Sequence, residues 1–194
     1  GKFPGMTEPS RGYHGVRFFE TFGDFAFSMR ARLETLRVYG SALSPMSAWQ
    51  ILQGVETLPL RMERHCSNAL AVARFLQSDP RVGWVNYPGL PSNKYFERAK
   101  KYMPDGTCGV ISFGVKGGRS AAEEFMKHLK VGMIATHVAD AHTCVLHPAS
   151  STHRQLTDEE LKAGGVTPDL IRLSCGLESA KDILADLDQA LSFI

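Results

Sequence analysis

Arg172 stands in the run LIRLSCG, residues 170–176, where apolar residues lead into a turn before a helix. A guanidinium offers a rigid, planar fork of donors that matches a carboxylate through two parallel hydrogen bonds. At the end of a strand such a fork is held firmly enough to anchor an anion. The competing reading is an ion pair with a nearby acid, Glu178 or Asp182. A second group, HPASSTHRQL, brings His147, Ser150, Thr152 and His153 together beside a proline. A polar turn of this kind either lines a pocket or satisfies itself, because Ser and Thr hydroxyls readily bond nearby backbone. Its histidine spacing is not that of H-E-x-x-H and no acid stands as a third ligand, which argues against a metal site. In the third group, THVADAH, the composition of His137, Asp140 and His142 allows a Cys–His or Ser–His–Asp reading, but no nucleophile elbow accompanies them. There is no Walker A or G-x-G-x-x-G pattern, and KGGRS is better read as a turn before a helix than as a phosphate loop.

The elements that must position these residues fall into two textures. Residues 1–27 are rich in Gly, Pro and aromatics, with one short helix expected around 18–25. FSMRARLETLRVY is helical in composition and is broken by GSALSP, where Ser44 caps a new helix with Pro45 at its first position. Pro59 must interrupt that helix, since its ring removes an i→i−4 bond. The next stretch places Met62, Cys66, Leu70, Val72, Ala73 and Leu76 near one stripe, so the whole forms a long, kinked link. After Pro80 strands and helices interleave. VGWVNY, GVISFGV, VGMIATHV, TCVLHP and LIRLSCG read as strands, and YFERAKKYM as a short helix. KGGRSAAEEFMKHLK predicts a helix with a Ser120–Glu123 capping box. TDEELKAGG predicts one capped by Thr157 and stopped by Gly164, and the terminal helix is expected to be capped by Ser179. The pattern indicates an α/β chain ending in a small α+β sandwich.

Net charge is +2 with acids and bases mixed, so no basic stripe points to nucleic acid. The four cysteines have no C-x-x-C spacing and suit reduced thiols in a cytoplasmic protein. No apolar run is long enough to span a membrane and no signal peptide opens the chain. The opening GKFPGMTEPS, without an initiator methionine, reads as the later part of something longer.

Several ordered blocks, ALSPMSAWQILQGVETLPLRMERH, VNYPGLPSNKYFERAKKYMPDGTCGVISFGVKGG, HVADAHTCVLHPASSTHRQLTDEELKAGGV and LIRLSCGLE, resemble the C-terminal half of the Cys/Met-metabolism enzymes that use pyridoxal 5'-phosphate. With GKFPGMTEPSRGYHG they are most similar to its O-acetylhomoserine sulfhydrylase branch, over essentially the whole chain. The resemblance implies a fold-type-I transferase. Residues 1–45 would be the tail of the large cofactor domain, 46–79 the linking helix and 80–194 the small C-terminal domain. It implies γ-replacement of acetate on O-acetylhomoserine by sulfide or a thiol, giving homocysteine or methionine, in a cytoplasmic homotetramer with shared active sites. Methionine γ-lyase or cystathionine γ-synthase-type activity, or a non-catalytic fragment, are the alternatives. The resemblance gives Arg172 the substrate carboxylate and puts Thr152 in the same pocket. It sets His137 where many relatives carry Ser or Asn. It also implies that the Schiff-base lysine and the phosphate-cradling residues lie upstream of this chain, so none of its lysines is assigned that role.

Overall fold

Alternation with a period of two builds the main sheet. Ile111, Phe113 and Val115 point to one side of Val110–Val115, and Ile171, Leu173 and Cys175 point to the same side of Leu170–Ser174 and the residue after it. The structure, a computed structural model, describes residues 2–194. It divides into two compact units, Gly1–Gly54 and Val55–Ile194.

In the first unit short helices surround a single fully buried ring. The helices are α1 (Pro4–Thr7), α2 (Phe18–Phe22), α3 (Ala26–Arg30) and α4 (Arg37–Tyr39), with a π-helical segment at Ala31–Leu36 joining α3 to α4. Phe18 is packed by Tyr13 and Phe22, with ring centroids 6.0 Å away in each case, and lies under the Arg30 guanidinium. Helix α5 (Pro45–Glu56) starts as expected, with the Ser44 hydroxyl accepting from the Ser47 N–H at 3.1 Å. The chain breaks at Thr57, and α6 (Leu58–Ser78) carries Pro59 in its first turn, where no helical bond is lost.

The second unit is a five-stranded sheet with β1 (Val82–Asn86), β2 (Val110–Val115), β3 (Met133–Ile134), β4 (Cys144–Leu146) and β5 (Leu170–Ser174) in the order β1-β2-β5-β4-β3. All pairs are antiparallel except β3 with β4. Around it lie α7 (Phe96–Tyr102), α8 (Gly118–Lys127), α9 (Asp158–Ala163) and α10 (Ala180–Leu191). Helices α6, α8 and α10 contribute Val72, Leu76, Phe125, Ile183 and Leu187 to one core with Ile111, Phe113, Ile171 and Leu173. Each such side chain, fully buried, contributes on the order of 2 kcal/mol.

Three expectations are corrected. The buried stripe of α6 is His65, Asn68, Ala69, Val72, Ala73 and Leu76; Met62, Cys66 and Leu70 are only half-buried. The face is rotated because two polar residues find backbone acceptors inside: His65 Nδ1 meets the Cys175 carbonyl at 2.6 Å, and Asn68 donates to the carbonyls of Gly176 and Glu178, each at 2.9 Å. The Ser120–Glu123 capping box does not form. Gly117 and Gly118, at φ 99° and 71°, start α8 early enough that Ser120 is its third residue and donates to the Gly117 carbonyl instead. A capping box occurs in α9, where Thr157 and Glu160 bond each other's backbone N–H. Ser179 does occupy the N-cap of α10, but its hydroxyl makes no capping bond.

The loop before β3 is held by one buried carboxylate. Asp186 accepts from the N–H groups of Lys130, Val131 and Gly132 at 2.8, 2.9 and 2.8 Å. Asp186→Ala strands these donors, and we expect it to lower stability by about 3 kcal/mol. An unchanged chemical-denaturation midpoint contradicts this account of the loop.

Candidate functional site

The sheet has one face under helices and one face open, and the open face carries the polar residues. Strand register lines them up. Asn86 of β1 is opposite Ser112 of β2, Ser112 is opposite Arg172 of β5, and Arg172 is opposite Leu146 of β4. All four line one cleft of about 550 Å³. Thr136, Thr152 and His153 complete its polar lining, while Pro88, Val110, Pro148, Val166 and Leu170 complete the apolar wall. No acidic residue lines it, so nothing there repels an anion.

Arg172 is fixed at one end and unpaired at another. Its Nη2 donates to the Thr136 carbonyl at 2.7 Å. Its Nε is buried and has no partner among the described residues. Two residues along the same strand, the Ser174 hydroxyl accepts from the Ala139 N–H at 3.0 Å, so β5 holds the loop 136–139 at two points. The ion-pair reading fails for Glu178. Its carboxylate accepts from the Thr143 N–H at 2.6 Å and the Thr143 hydroxyl at 2.8 Å, and no salt bridge joins Arg172 to an acid among the described residues. The turn after β5 depends on Gly176. A Cβ there would collide with backbone atoms of both His142 and Thr143.

The HPASSTH turn divides its labour. His147 is buried and self-satisfied, with Nε2 2.8 Å from the Pro168 carbonyl and Nδ1 2.8 Å from the Ser150 hydroxyl. A carbonyl only accepts, so Nε2 carries a proton and donates to it, and Nδ1 accepts from Ser150 in the neutral ring. Thr152 and His153, bonded to each other at 2.8 Å, face the cleft. His137 is exposed and lies outside the lining, next to Thr136, which belongs to it. In THVADAH, Asp140 accepts from the His142 N–H at 2.9 Å, and this bond, with the His142 ring, holds its carboxyl below the usual carboxylate range. The three residues form an exposed turn with Ala139 at φ 56°. No cluster of metal-ligating side chains occurs among the described residues.

The sequence reading missed Ser112, Asn86 and Thr136. The first two were accessible in principle, because in GVISFGV and VGWVNY the residues alternating with the buried positions must share the opposite face. The first unit holds a larger hollow, of about 800 Å³, but its Arg30 and Glu34 satisfy each other there at 2.8 Å.

The fit to a cofactor is one-sided. No lysine lines the cleft, so it offers no amine to carry an aldehyde cofactor. Its unpaired guanidinium nitrogen in an acid-free, largely apolar wall fits the carboxylate end of an amino acid.

Comparison with known proteins identifies the family of the chain. The family described as "Cys/Met metabolism PLP-dependent enzyme" matches residues 21–192. The chain is 50% identical over 203 residues to O-acetyl-L-homoserine sulfhydrylase of Leptospira meyeri, covering 100% of this chain and 46% of that protein. It is 47% identical over 192 residues to O-acetyl-L-homoserine sulfhydrylase 1 of Thermus thermophilus, covering 99% and 46%. A crystal structure of a putative O-acetylhomoserine (thiol)-lyase from Campylobacter jejuni, which carries a pyridoxyl-lysine phosphate, superposes with a TM-score of 0.85 at 40% identity, over 97% of this chain and 45% of that one. The chain thus spans about half the length of the relatives it matches, and its fold is that of part of a pyridoxal-phosphate-dependent enzyme. On the extent of these matches, the chain belongs to the Cys/Met-metabolism family of pyridoxal-phosphate-dependent enzymes.

Proposed function

We propose that this chain supplies the substrate-carboxylate site of an O-acetylhomoserine sulfhydrylase, the γ-replacement in which sulfide or a thiol takes the place of acetate. The observation that carries the proposal is the buried, partnerless Nε of Arg172 in an acid-free cleft. A buried donor without a partner costs about 1–3 kcal/mol, and a carboxylate removes that cost on binding. The apolar wall lowers the local dielectric and strengthens the pair. The Thr136 carbonyl fixes the guanidinium before the substrate arrives, which lessens what binding must order. Thr152 lines the same cleft. The names of the relatives, sulfhydrylases and a homocysteine synthase from Schizosaccharomyces pombe, favour replacement over elimination.

The cofactor, when bound, supplies the electron sink for the bond changes at the substrate's carbons. In this reading its lysine and phosphate contacts belong to the remainder of the enzyme. Residues 1–45 are then the tail of the large domain, 46–79 the link, and 80–194 the small domain. In the same reading His137, the chain neighbour of Thr136, influences which substrates enter; its adjacency to the residue that pins Arg172 supports this.

We also propose a homotetramer. Met46, Trp49, Ile51 and Leu52 on α5 are all more than half exposed, and large apolar side chains exposed together on one helix support an interface there. Light scattering on the full-length protein is expected to give four subunits; a monomer contradicts the assembly.

The central test is Arg172→Leu in the full-length protein. With O-acetyl-L-homoserine and sulfide, homocysteine formation should fall at least a hundredfold. Stability should stay within about 0.5 kcal/mol of the parent or rise, because the unpaired buried donor is gone. A loss of about 2 kcal/mol or more with activity retained makes Arg172 structural and overturns the proposal.

A further inference from the structure

Beside Arg172 the cleft holds a second polar group, and a row of hydrogen bonds sets its direction. The row starts at the Tyr95 backbone N–H, which can only donate; it meets Asn93 Oδ1 at 2.9 Å. Asn93 Nδ2 therefore faces the other way and donates to Asn86 Oδ1 at 2.9 Å. This in turn aims Asn86 Nδ2 at the Ser112 hydroxyl oxygen, 3.5 Å away, near the long end of hydrogen-bonding range. The orientation of each amide follows from the one before it, back to a donor that has no alternative.

The consequence falls on Ser112. Its oxygen faces a donor, so its own proton is free to turn elsewhere, and no bond donated by this hydroxyl occurs among the described residues. Across the ladder stands Arg172, which has no acceptor to offer. Both side chains line the same cleft. A guanidinium that can only donate and a hydroxyl whose proton is uncommitted, lining one cleft, suit a ligand rich in acceptors.

We propose that Ser112 is a substrate-binding residue, whose hydroxyl donates to the carboxylate held by Arg172, and that Asn86 is a positioning residue that keeps the Ser112 proton aimed into the cleft. This rests on the carboxylate reading of Arg172 given above and adds to it a second donor and the element that orients it.

The test uses the full-length holoenzyme and steady-state kinetics with O-acetyl-L-homoserine at saturating sulfide. Ser112→Ala should raise the KM for the amino acid about tenfold, the loss of one hydrogen bond to a charged group, with kcat changed by less than about twofold. Ser112→Thr keeps the hydroxyl and should restore most of the affinity. Asn86→Asp is the directional probe. An aspartate accepts from both Asn93 and Ser112, so it pulls the Ser112 proton out of the cleft. It should raise KM as much as Ser112→Ala, and the double variant should be no worse than either single one.

A KM for Ser112→Ala within about twofold of the parent overturns the proposal. So does an Asn86→Asp effect that adds in full to that of Ser112→Ala, which would mean simple charge repulsion. Should Ser112→Ala fail to fold, an Asn86→Asp variant with the parent's KM overturns the proposal on its own. Arg172→Lys in the same assay separates the two levels. If it leaves KM unchanged, the carboxylate reading itself fails; if it raises KM while Ser112→Ala does not, only the role of Ser112 fails.

Discussion

The register between β2 and β5 is the constraint on which the site depends. Ser112 opposite Arg172, and Ile111 and Phe113 opposite Leu173 and Ile171, are one pairing seen from the two faces of the sheet. A slip of one residue would bury Arg172 under the helices and expose the core side chains. The apolar face enforces the register, since Ile111, Phe113, Ile171 and Leu173 are each fully buried. The chemistry on the open face is therefore positioned by packing on the hidden one. The end of β5 is secured separately. His65 and Asn68 from α6 bind the carbonyls of the following turn, and Thr143 with Glu178 close it from the side of β4.

Against this firm background Arg172 is under-satisfied. Most buried donors in folded proteins find a partner, and an exception calls for an explanation. Here no acid lines the cleft, and Glu178, the nearby acid in sequence, is committed to Thr143. An anchor that already had a carboxylate of its own would have to release it for each substrate. Holding the guanidinium by a neutral carbonyl keeps it in place without neutralising it. His147 shows the opposite arrangement in the adjoining turn. Both of its nitrogens are occupied, so it braces the wall of the cleft and takes no part in binding.

Much of this was legible in the chain itself. The strand of Arg172, the breaks at Pro45 and Pro59, and the Thr157 cap each follow from a local rule that tertiary contacts did not override. The failures have physical causes. The stripe of α6 was misplaced because His65 and Asn68 are polar, and their burial depends on carbonyls more than a hundred residues away. The Ser120 cap failed because two glycines with positive φ started the helix upstream of it. The pairing of Ser112 with Arg172 required knowing that β2 and β5 are neighbours, which no local pattern states. The resemblance to a family supplied the role of the arginine. Geometry supplied what holds it and what stands beside it.

The most direct test of the account is a crystal structure of the full-length enzyme with its cofactor and a bound amino-acid substrate or product. The account predicts a carboxylate oxygen about 3 Å from Arg172 Nε, with Nη2 still on the Thr136 carbonyl. A carboxylate bound elsewhere, with Arg172 Nε paired to an acid from the remainder of the protein, would contradict it.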